Sequence, residues 1–536
     1  MLVFLTTADT DLLALHAAVE PLPSEAHPVR AFNLSRAVET EEVLARIRSA
    51  ERPVVVAHLL GGLRAWREGI LAVAAAVRER DGWFLPAVAD AQPDPELLSL
   101  ARAPAGGLET VAAYLAAGGV ENLREFVRWC GALCSGEGEP SPLPPPASVP
   151  EDGLYRGAAP DDGRARVAVL FYRAHLIAGN TGFVDAILDA LDRHGCAPVA
   201  VYCQSLKDRT AGELFARYLM RDGQPAIDCC ISTLSFAMAQ VTTRGPDIAE
   251  GLSADALAAL DVPVLQALVS TAPRDAWSAS SQGLGPLDTA MVVAMPEFDG
   301  RIITVPVSFK RQPEYDARLG TAITRYEPDM ERVDLLARMA ARWAALRRTP
   351  NAEKRVAIVL HNYPTKAARI GNAVGLDTPA SAVRLLSALR GRGYAVGPAP
   401  EDGDALMRAL VAQMTYDEEL LTEGQLAFAG GRWPVERYGD WLVTLPERVR
   451  GKVEETWREP PGTVYARRGQ FVFSALRFGN VFVTVQPPRG FGENPVAIYH
   501  DPDLAPTHHY LAFYQWLRDG VGAQAIVHLG KHGCPH

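Results

Sequence analysis

The chain has 536 residues, 48% of them apolar and 22% charged, enough for roughly three ordinary globular domains. A net charge of −10 with no basic stripe disfavours a nucleic-acid partner, because phosphate recognition needs a local excess of Lys and Arg. The start lacks a basic leader and reads as a first strand, not a signal peptide. No apolar run approaches the roughly 18 residues of a membrane span, so a cytoplasmic protein is expected. Seven cysteines without a CxxC predict buried free thiols in a reducing compartment.

In chain order, strands are expected at 1–5 and 53–60, with helices at 41–48, 65–80 and 108–117, which makes an α/β domain over 1–135. Residues 136–164 are rich in proline and small residues and predict a semi-rigid extended linker. A βαβ rhythm follows: strand 166–172, helix 182–193, strand 198–202, helix near 212–221 and strand 227–232. This predicts a second α/β domain over 165–330. A long amphipathic helix at 331–348 opens a third region, 331–536, with a strand at 355–360 and a helix at 379–391. Mixed α+β structure is expected near 436–490, including a strand at 480–485, before a helix at 510–519 and a strand at 525–527. The fold class is therefore α/β, with several Rossmann-like parallel-sheet domains in tandem.

Six of the 12 histidines fall after residue 499: His500, His508, His509, His528, His532 and His536. Histidine moves readily between acid, base and metal-ligand roles near neutral pH. Three buried-strand runs also deliver a histidine at or just past their carboxyl ends: His175, His361, and His528 with His532. Ligands of open α/β sheets bind at that edge, so a site is expected wherever these strands face one cleft. For any single histidine the competing reading is a hydrogen-bonded loop residue.

Two loops carry further candidates. In residues 499–510, Asp501, Asp503, His500 and His508 suit a divalent metal. The same residues also fit a helix start, with Thr507 as the cap and the aspartates in the preceding turn. Residues 362–379 bear glycines after a strand and can cradle anionic groups through backbone N–H, Lys366 and Arg369, or simply connect strand to helix with solvated charges. No GxxxxGK[ST] loop occurs, so ATP hydrolysis by this chain alone is not expected, and no GxSxG, HExxH or GxGxxG competes.

Several segments together resemble the family of CobN and the large magnesium chelatase subunit. They are Val169-Leu-Phe-Tyr-Arg-Ala-His-Leu-Ile-Ala-Gly-Asn-Thr181, Met295-Pro-Glu-Phe-Asp-Gly-Arg301, Asn362-Tyr-Pro-Thr365 through Gly371-Asn-Ala-Val-Gly-Leu-Asp-Thr-Pro379, Gln486-Pro-Pro-Arg-Gly490, Tyr499-His-Asp-Pro-Asp503 and His528-Leu-Gly-Lys-His-Gly533. Residues 1–135 fit more loosely. The resemblance implies ATP-dependent insertion of Co²⁺ into hydrogenobyrinic acid a,c-diamide during cobalamin biosynthesis. It also implies that an AAA+ ATPase and a companion subunit use the ATP and Mg²⁺, in keeping with the absent P-loop. It places metal delivery and proton abstraction on His528, His532 and Glu297, with His361, His500 and Arg173 as further candidates. Arg489, Lys366 and Arg369 would pair with the substrate's carboxylates.

One departure bears on activity. The family continues past its HxGxHG segment into an Asn-Leu-Glu-Trp-like run and a long second half, whereas here Gly533 is followed only by Cys534-Pro-His536. The expectation is an N-terminal half that inserts no metal unaided. A non-catalytic tetrapyrrole or cobalt carrier, and a large magnesium chelatase subunit acting on protoporphyrin IX, are the alternatives. The Asn362-Tyr-Pro-Thr365 and Tyr499-His-Asp-Pro-Asp503 segments favour the cobalt branch.

Overall fold

A computed structural model describes the chain apart from residues 24–27, 37, 60, 89–93, 137–142, 158–161, 205, 207–208, 238–239, 242–251, 254, 363–365, 463–464, 491–502 and 531–536. The chain forms two compact units, Met1–Ala344 and Ala345–His536.

The first unit holds two large sheets. In the smaller, four parallel strands run in the order Val29–Asn33, Leu2–Thr6, Val54–Leu59, Trp83–Val88. Helices Asp9–Val19 and Val120–Ser135 pack on one face through Leu12, Leu15, Phe126 and Cys130, and helix Arg67–Glu79 packs on the other through Ile70 and Val73. Covering on both faces explains why residues 54–57 are all Val or Ala rather than alternating with polar groups.

The larger sheet has seven strands, in the order Tyr326–Pro328, Ile302–Lys310, Val264–Ser270, Cys229–Ser232, Ala165–Tyr172, Cys196–Cys203, Asp152–Arg156. Its inner five are parallel and its two edges antiparallel. Helix Met330–Arg348 buries Val333, Leu336, Ala337, Ala340 and Ala344, a stripe at three- and four-residue spacing, against Val167, Phe171 and Leu265.

Two of these inner strands, Val264–Ser270 and Ile302–Lys310, escape a reading of apolar runs because polar residues interrupt them. Gln266, Ser270 and Ser308 are fully buried, and each finds a partner. Gln266 Nε2 donates to the Leu234 carbonyl at 3.0 Å, Ser270 Oγ to Asp288 at 2.7 Å, and Ser308 Oγ to the Glu327 carbonyl at 3.0 Å. Buried polar groups survive only when paired in this way.

The described part of the proline-rich stretch is tied down by hydrogen bonds. Tyr114 OH donates to the Pro144 carbonyl at 2.8 Å, and Asn122 exchanges two hydrogen bonds with Ala147. It then supplies the edge strand Asp152–Arg156.

The second unit is built on a four-stranded sheet in the order Ala475–Phe478, Val481–Val485, Val356–Leu360, Ala525–Leu529. The last three strands are parallel. Helices Thr378–Gly391 and Gly403–Gln413 cover one face through Ala382, Leu386, Leu406 and Leu410, and helix His508–Gln515 covers the other through Ala512 and Phe513. The 436–490 region is mixed, as expected. A three-stranded antiparallel sheet of Gly431–Pro434, Gln470–Phe473 and Ala466–Arg467 accompanies helices Val435–Leu442 and Glu447–Trp457.

Candidate functional site

At the carboxyl ends of parallel strands the chain turns outward and leaves polar groups facing solvent. In the second unit three strands end at one such edge. Leu360 stands opposite both Val485 and Leu529, so the residues just beyond each strand are spatial neighbours despite their distance in sequence. His528 is in register with Val359. The His361 N–H donates to the Leu529 carbonyl at 3.1 Å, and the Gln486 N–H donates to the Leu360 carbonyl at 2.9 Å. Gly530 permits the tight return. Its φ is +142°, and a Cβ there would stand 2.6 Å from the Cβ of His361.

His528 is exposed at this edge, with its ring set 5.9 Å from that of Tyr514. Partial desolvation lowers its pKa below the ordinary histidine value, so the imidazole is neutral near pH 7 and has a lone pair for a proton or a divalent cation. Gln486 Nε2 donates to the hydroxyls of both Tyr510, at 3.1 Å, and Tyr514, at 3.2 Å. Burial pushes the Tyr514 hydroxyl well above its usual pKa, so it stays protonated.

Beside this cluster, Asn362 is 2% exposed, and neither Nδ2 nor Oδ1 has a hydrogen-bond partner among the described residues. A buried amide left in that state costs about 1–3 kcal/mol, and such groups in native proteins call for an explanation. A ligand that meets both its donor and its acceptor is one.

The other expected residues are divided between the two units. His175 belongs to the first unit, where its ring lies edge-on to Phe183 at 5.0 Å and to Tyr326 at 5.7 Å, and burial pushes its pKa down to about 4. It is packed in an aromatic cluster next to the seven-stranded sheet and does not share the edge of His361 and His528. Arg173 donates to the carbonyls of Pro150 at 2.9 Å and Val149 at 2.8 Å, which fastens the proline-rich stretch. Glu297 is exposed on the short helix Met295–Phe298 of the first unit. Lys366 bridges Glu419 at 3.0 Å and Asp417 at 3.2 Å, hydrogen bonds that raise its pKa. Arg369 is exposed, and Arg489 is buried with Nη2 donating to the Leu504 carbonyl at 3.0 Å. His500 and His532 lie outside the described residues, as do Asp501, Cys534 and His536.

For residues 507–510 the helix-start reading is the one observed. Thr507 Oγ1 accepts from the Tyr510 N–H at 3.1 Å. His508 engages both ring nitrogens, with Tyr438 OH at 2.9 Å and the Arg458 carbonyl at 2.7 Å, so it offers no lone pair to a metal. Among the described residues no group of three or more His, Cys, Asp or Glu is placed to hold a metal ion. Asn362, Gln486, Tyr510 and Tyr514 were not among the sequence-based site candidates. Gln486 directly follows a buried strand end and Asn362 stands two residues past another, which is a legible signal. The two tyrosines look like helix core until Gln486 is placed between them.

The parallel sheets with helices on their faces define the class as α/β, and at one carboxyl edge imidazole and amide groups from the strand ends lie beside phenols from helix His508–Gln515. Within that class, the chain belongs to the CobN/magnesium chelatase family, whose model matches residues 112–534. It is 40% identical to the aerobic cobaltochelatase subunit CobN of Pseudomonas aeruginosa, over 99% of this chain and 42% of that protein. It is 36% identical to the aerobic cobaltochelatase subunit CobN of a Sinorhizobium species, over 99% of this chain and 42% of that protein. A magnesium-chelatase relative, from Cereibacter sphaeroides, is 29% identical over 72% of this chain and 33% of its own length. Among solved structures the chain is similar to the catalytic subunit of cobaltochelatase from Mycobacterium tuberculosis. The TM-score is 0.78 and the identity 40%, covering 99% of this chain and 43% of the other. The chain thus spans about two fifths of the length of these cobaltochelatase relatives.

Proposed function

We propose that this chain forms the tetrapyrrole-binding part of an ATP-dependent cobaltochelatase, a cytoplasmic complex in which an AAA+ ATPase and a companion subunit use ATP and Mg²⁺. The substrates are Co²⁺ and hydrogenobyrinic acid a,c-diamide. The observation that carries this reading is the shared strand edge, where neutral His528 accompanies an Asn362 amide that is unpartnered among the described residues.

Insertion requires the metal to shed water and the ring nitrogens to lose protons. A neutral imidazole at the macrocycle serves either step, by passing on the metal or by accepting a proton. We assign these roles to His528 and, on the family motif, to His532 and Glu297. His361 and His500 would bind the macrocycle. Arg369, Arg489, Lys366 and Arg173 would act on its periphery, although the ion pairs of Lys366 and the backbone bonds of Arg173 make those two the weaker claims. The amide of Asn362 complements a primary amide, which the a,c-diamide carries and protoporphyrin IX lacks. That favours the cobalt substrate over the magnesium branch.

Absorption titrations of the purified chain with the two tetrapyrroles test this reading. The expected result is tighter binding of hydrogenobyrinic acid a,c-diamide, with the preference lost in Asn362→Leu. Tighter binding of protoporphyrin IX would instead place the chain with the magnesium enzymes.

A further inference from the structure

A concavity in the same unit includes Arg489 in its lining, and its other residues have no role so far. It encloses about 310 Å³ between helix Glu447–Trp457 and the segment Asp503–Pro506, and Arg448, Lys452, Arg489 and Tyr510 line it. Its walls are fixed. Trp457 Nε1 donates to the Ala505 carbonyl at 2.7 Å, the Thr507 N–H donates to the Arg489 carbonyl at 3.1 Å, and Arg489 itself holds the Leu504 carbonyl.

Among the described residues the lining of this pocket carries more cations than carboxylates. Arg448 and Lys452 sit one helical turn apart, a spacing at which like charges repel. Two of the helix's three acids, Glu447 and Glu454, pair with Arg450. Arg489 adds a third cation and is only 7% exposed. Among the described residues the one carboxylate in the lining is Asp503, which is 94% exposed and stands 4.0 Å from Lys452. Three cations in the lining of one hollow, one of them buried, are stabilised when an anion enters.

We infer that this pocket is an oxyanion site that holds a peripheral carboxylate arm of the tetrapyrrole. Its volume lies at the lower end of small-molecule clefts, which suits an arm rather than a macrocycle. It also adjoins the strand edge. Tyr510 forms part of its wall, Gln486 bridges Tyr510 to Tyr514, and Tyr514 lies against His528. An arm anchored here sets the attached ring toward His528. This assignment rests on the tetrapyrrole reading, and the test separates the two.

Arg448→Gln/Lys452→Gln in the full 536-residue chain changes two exposed helix positions to a residue of good helix propensity, so the fold is retained. Hydrogenobyrinic acid a,c-diamide and its fully methyl-esterified form are titrated against the parent and the variant at several salt concentrations. The expected result is that the double variant binds the acid about 10- to 100-fold more weakly with a flatter salt dependence, while the ester binds both proteins equally. Unchanged affinity and salt dependence for the acid would overturn the pocket and leave the tetrapyrrole reading intact. Binding of neither acid nor ester by the parent would instead overturn the tetrapyrrole reading, and with it the arm. In that case inorganic phosphate, read by thermal shift, decides whether a free anion is the occupant. A shift seen in the parent and lost in the variant keeps the oxyanion chemistry, and no shift in either removes it.

Discussion

Two parallel-sheet edges in this molecule make opposite use of the same opportunity. At the N-terminal sheet, Thr6 Oγ1 donates to Asp11 at 2.6 Å, and His58 Nδ1 meets the same carboxylate at 2.7 Å. Next to them, Asp9 takes hydrogen bonds from Asn33 at 2.7 Å, Arg36 at 2.8 Å and Lys310 at 3.2 Å. Burial desolvates Asp9, but the Lys310 hydrogen bond and the Arg36 charge still hold its carboxyl below the usual range. The polar groups of that edge satisfy one another. At the second unit's edge, among the described residues, Asn362 is left unpartnered and the side chain of His528 has a ring neighbour alone. The contrast extends to other histidines of the first unit, since His16 meets Asp316 at 2.6 Å and His194 meets Asp334 at 2.8 Å. Position at a strand end therefore nominates a residue, and an unmet bonding capacity distinguishes a ligand site from a structural one.

The contrast is broken or sharpened by four measurements. The largest effect expected is on metal insertion. On the function proposed above, and with the partner subunits and the remainder of the large subunit supplied, His528→Ala should slow cobalt insertion about 100-fold or more, as removal of a proton acceptor does, whereas His58→Ala should leave the rate within a factor of about three. Equal losses would erase the distinction between the edges. Next, Asp11→Ala strands both the Thr6 hydroxyl and His58 and should cost about 1–3 kcal/mol in denaturant unfolding, with tetrapyrrole affinity unchanged.

Acidification should weaken both units through one buried histidine each. His175 and His509 have folded pKa values of about 4, below the ordinary 6.5, so the unfolded chain takes up their protons first. Stability is then complete above pH 6.5 and falls as the pH drops toward 4, by on the order of 1 kcal/mol per pH unit for each histidine. His175→Phe and His509→Phe should flatten the respective parts of a chemical-denaturation series between pH 7 and 5. The smallest effect expected is the most telling. Asn362→Leu removes an amide that is unpartnered among the described residues and should raise stability by about 1 kcal/mol while tetrapyrrole binding weakens. A loss of stability would mean that Asn362 is a structural residue.

Much of the architecture was legible because it is written in short-range patterns. The buried runs at 166–172 and 355–360, the helices at 182–193 and 379–391 and the Thr507 cap follow from spacing and side-chain type alone, and each forms. The family motifs were equally legible, and the family is the one they indicate. What the sequence left open were the partners of individual side chains. Nothing local shows that Lys366 meets Asp417 and Glu419, or that His508 is held by Tyr438 and the Arg458 carbonyl. Nor does any local pattern show that the strands before His361 and His175 belong to different sheets. By itself the sequence determined those strands and helices that are written as uninterrupted apolar runs or amphipathic stripes, the residues that stand at their ends, and the family to which the chain belongs. Tertiary structure alone decided which of those ends share an edge and which polar groups reach it unpaired. Strand order and side-chain partnership are set by contacts between residues far apart in the chain, and periodicity carries no record of them.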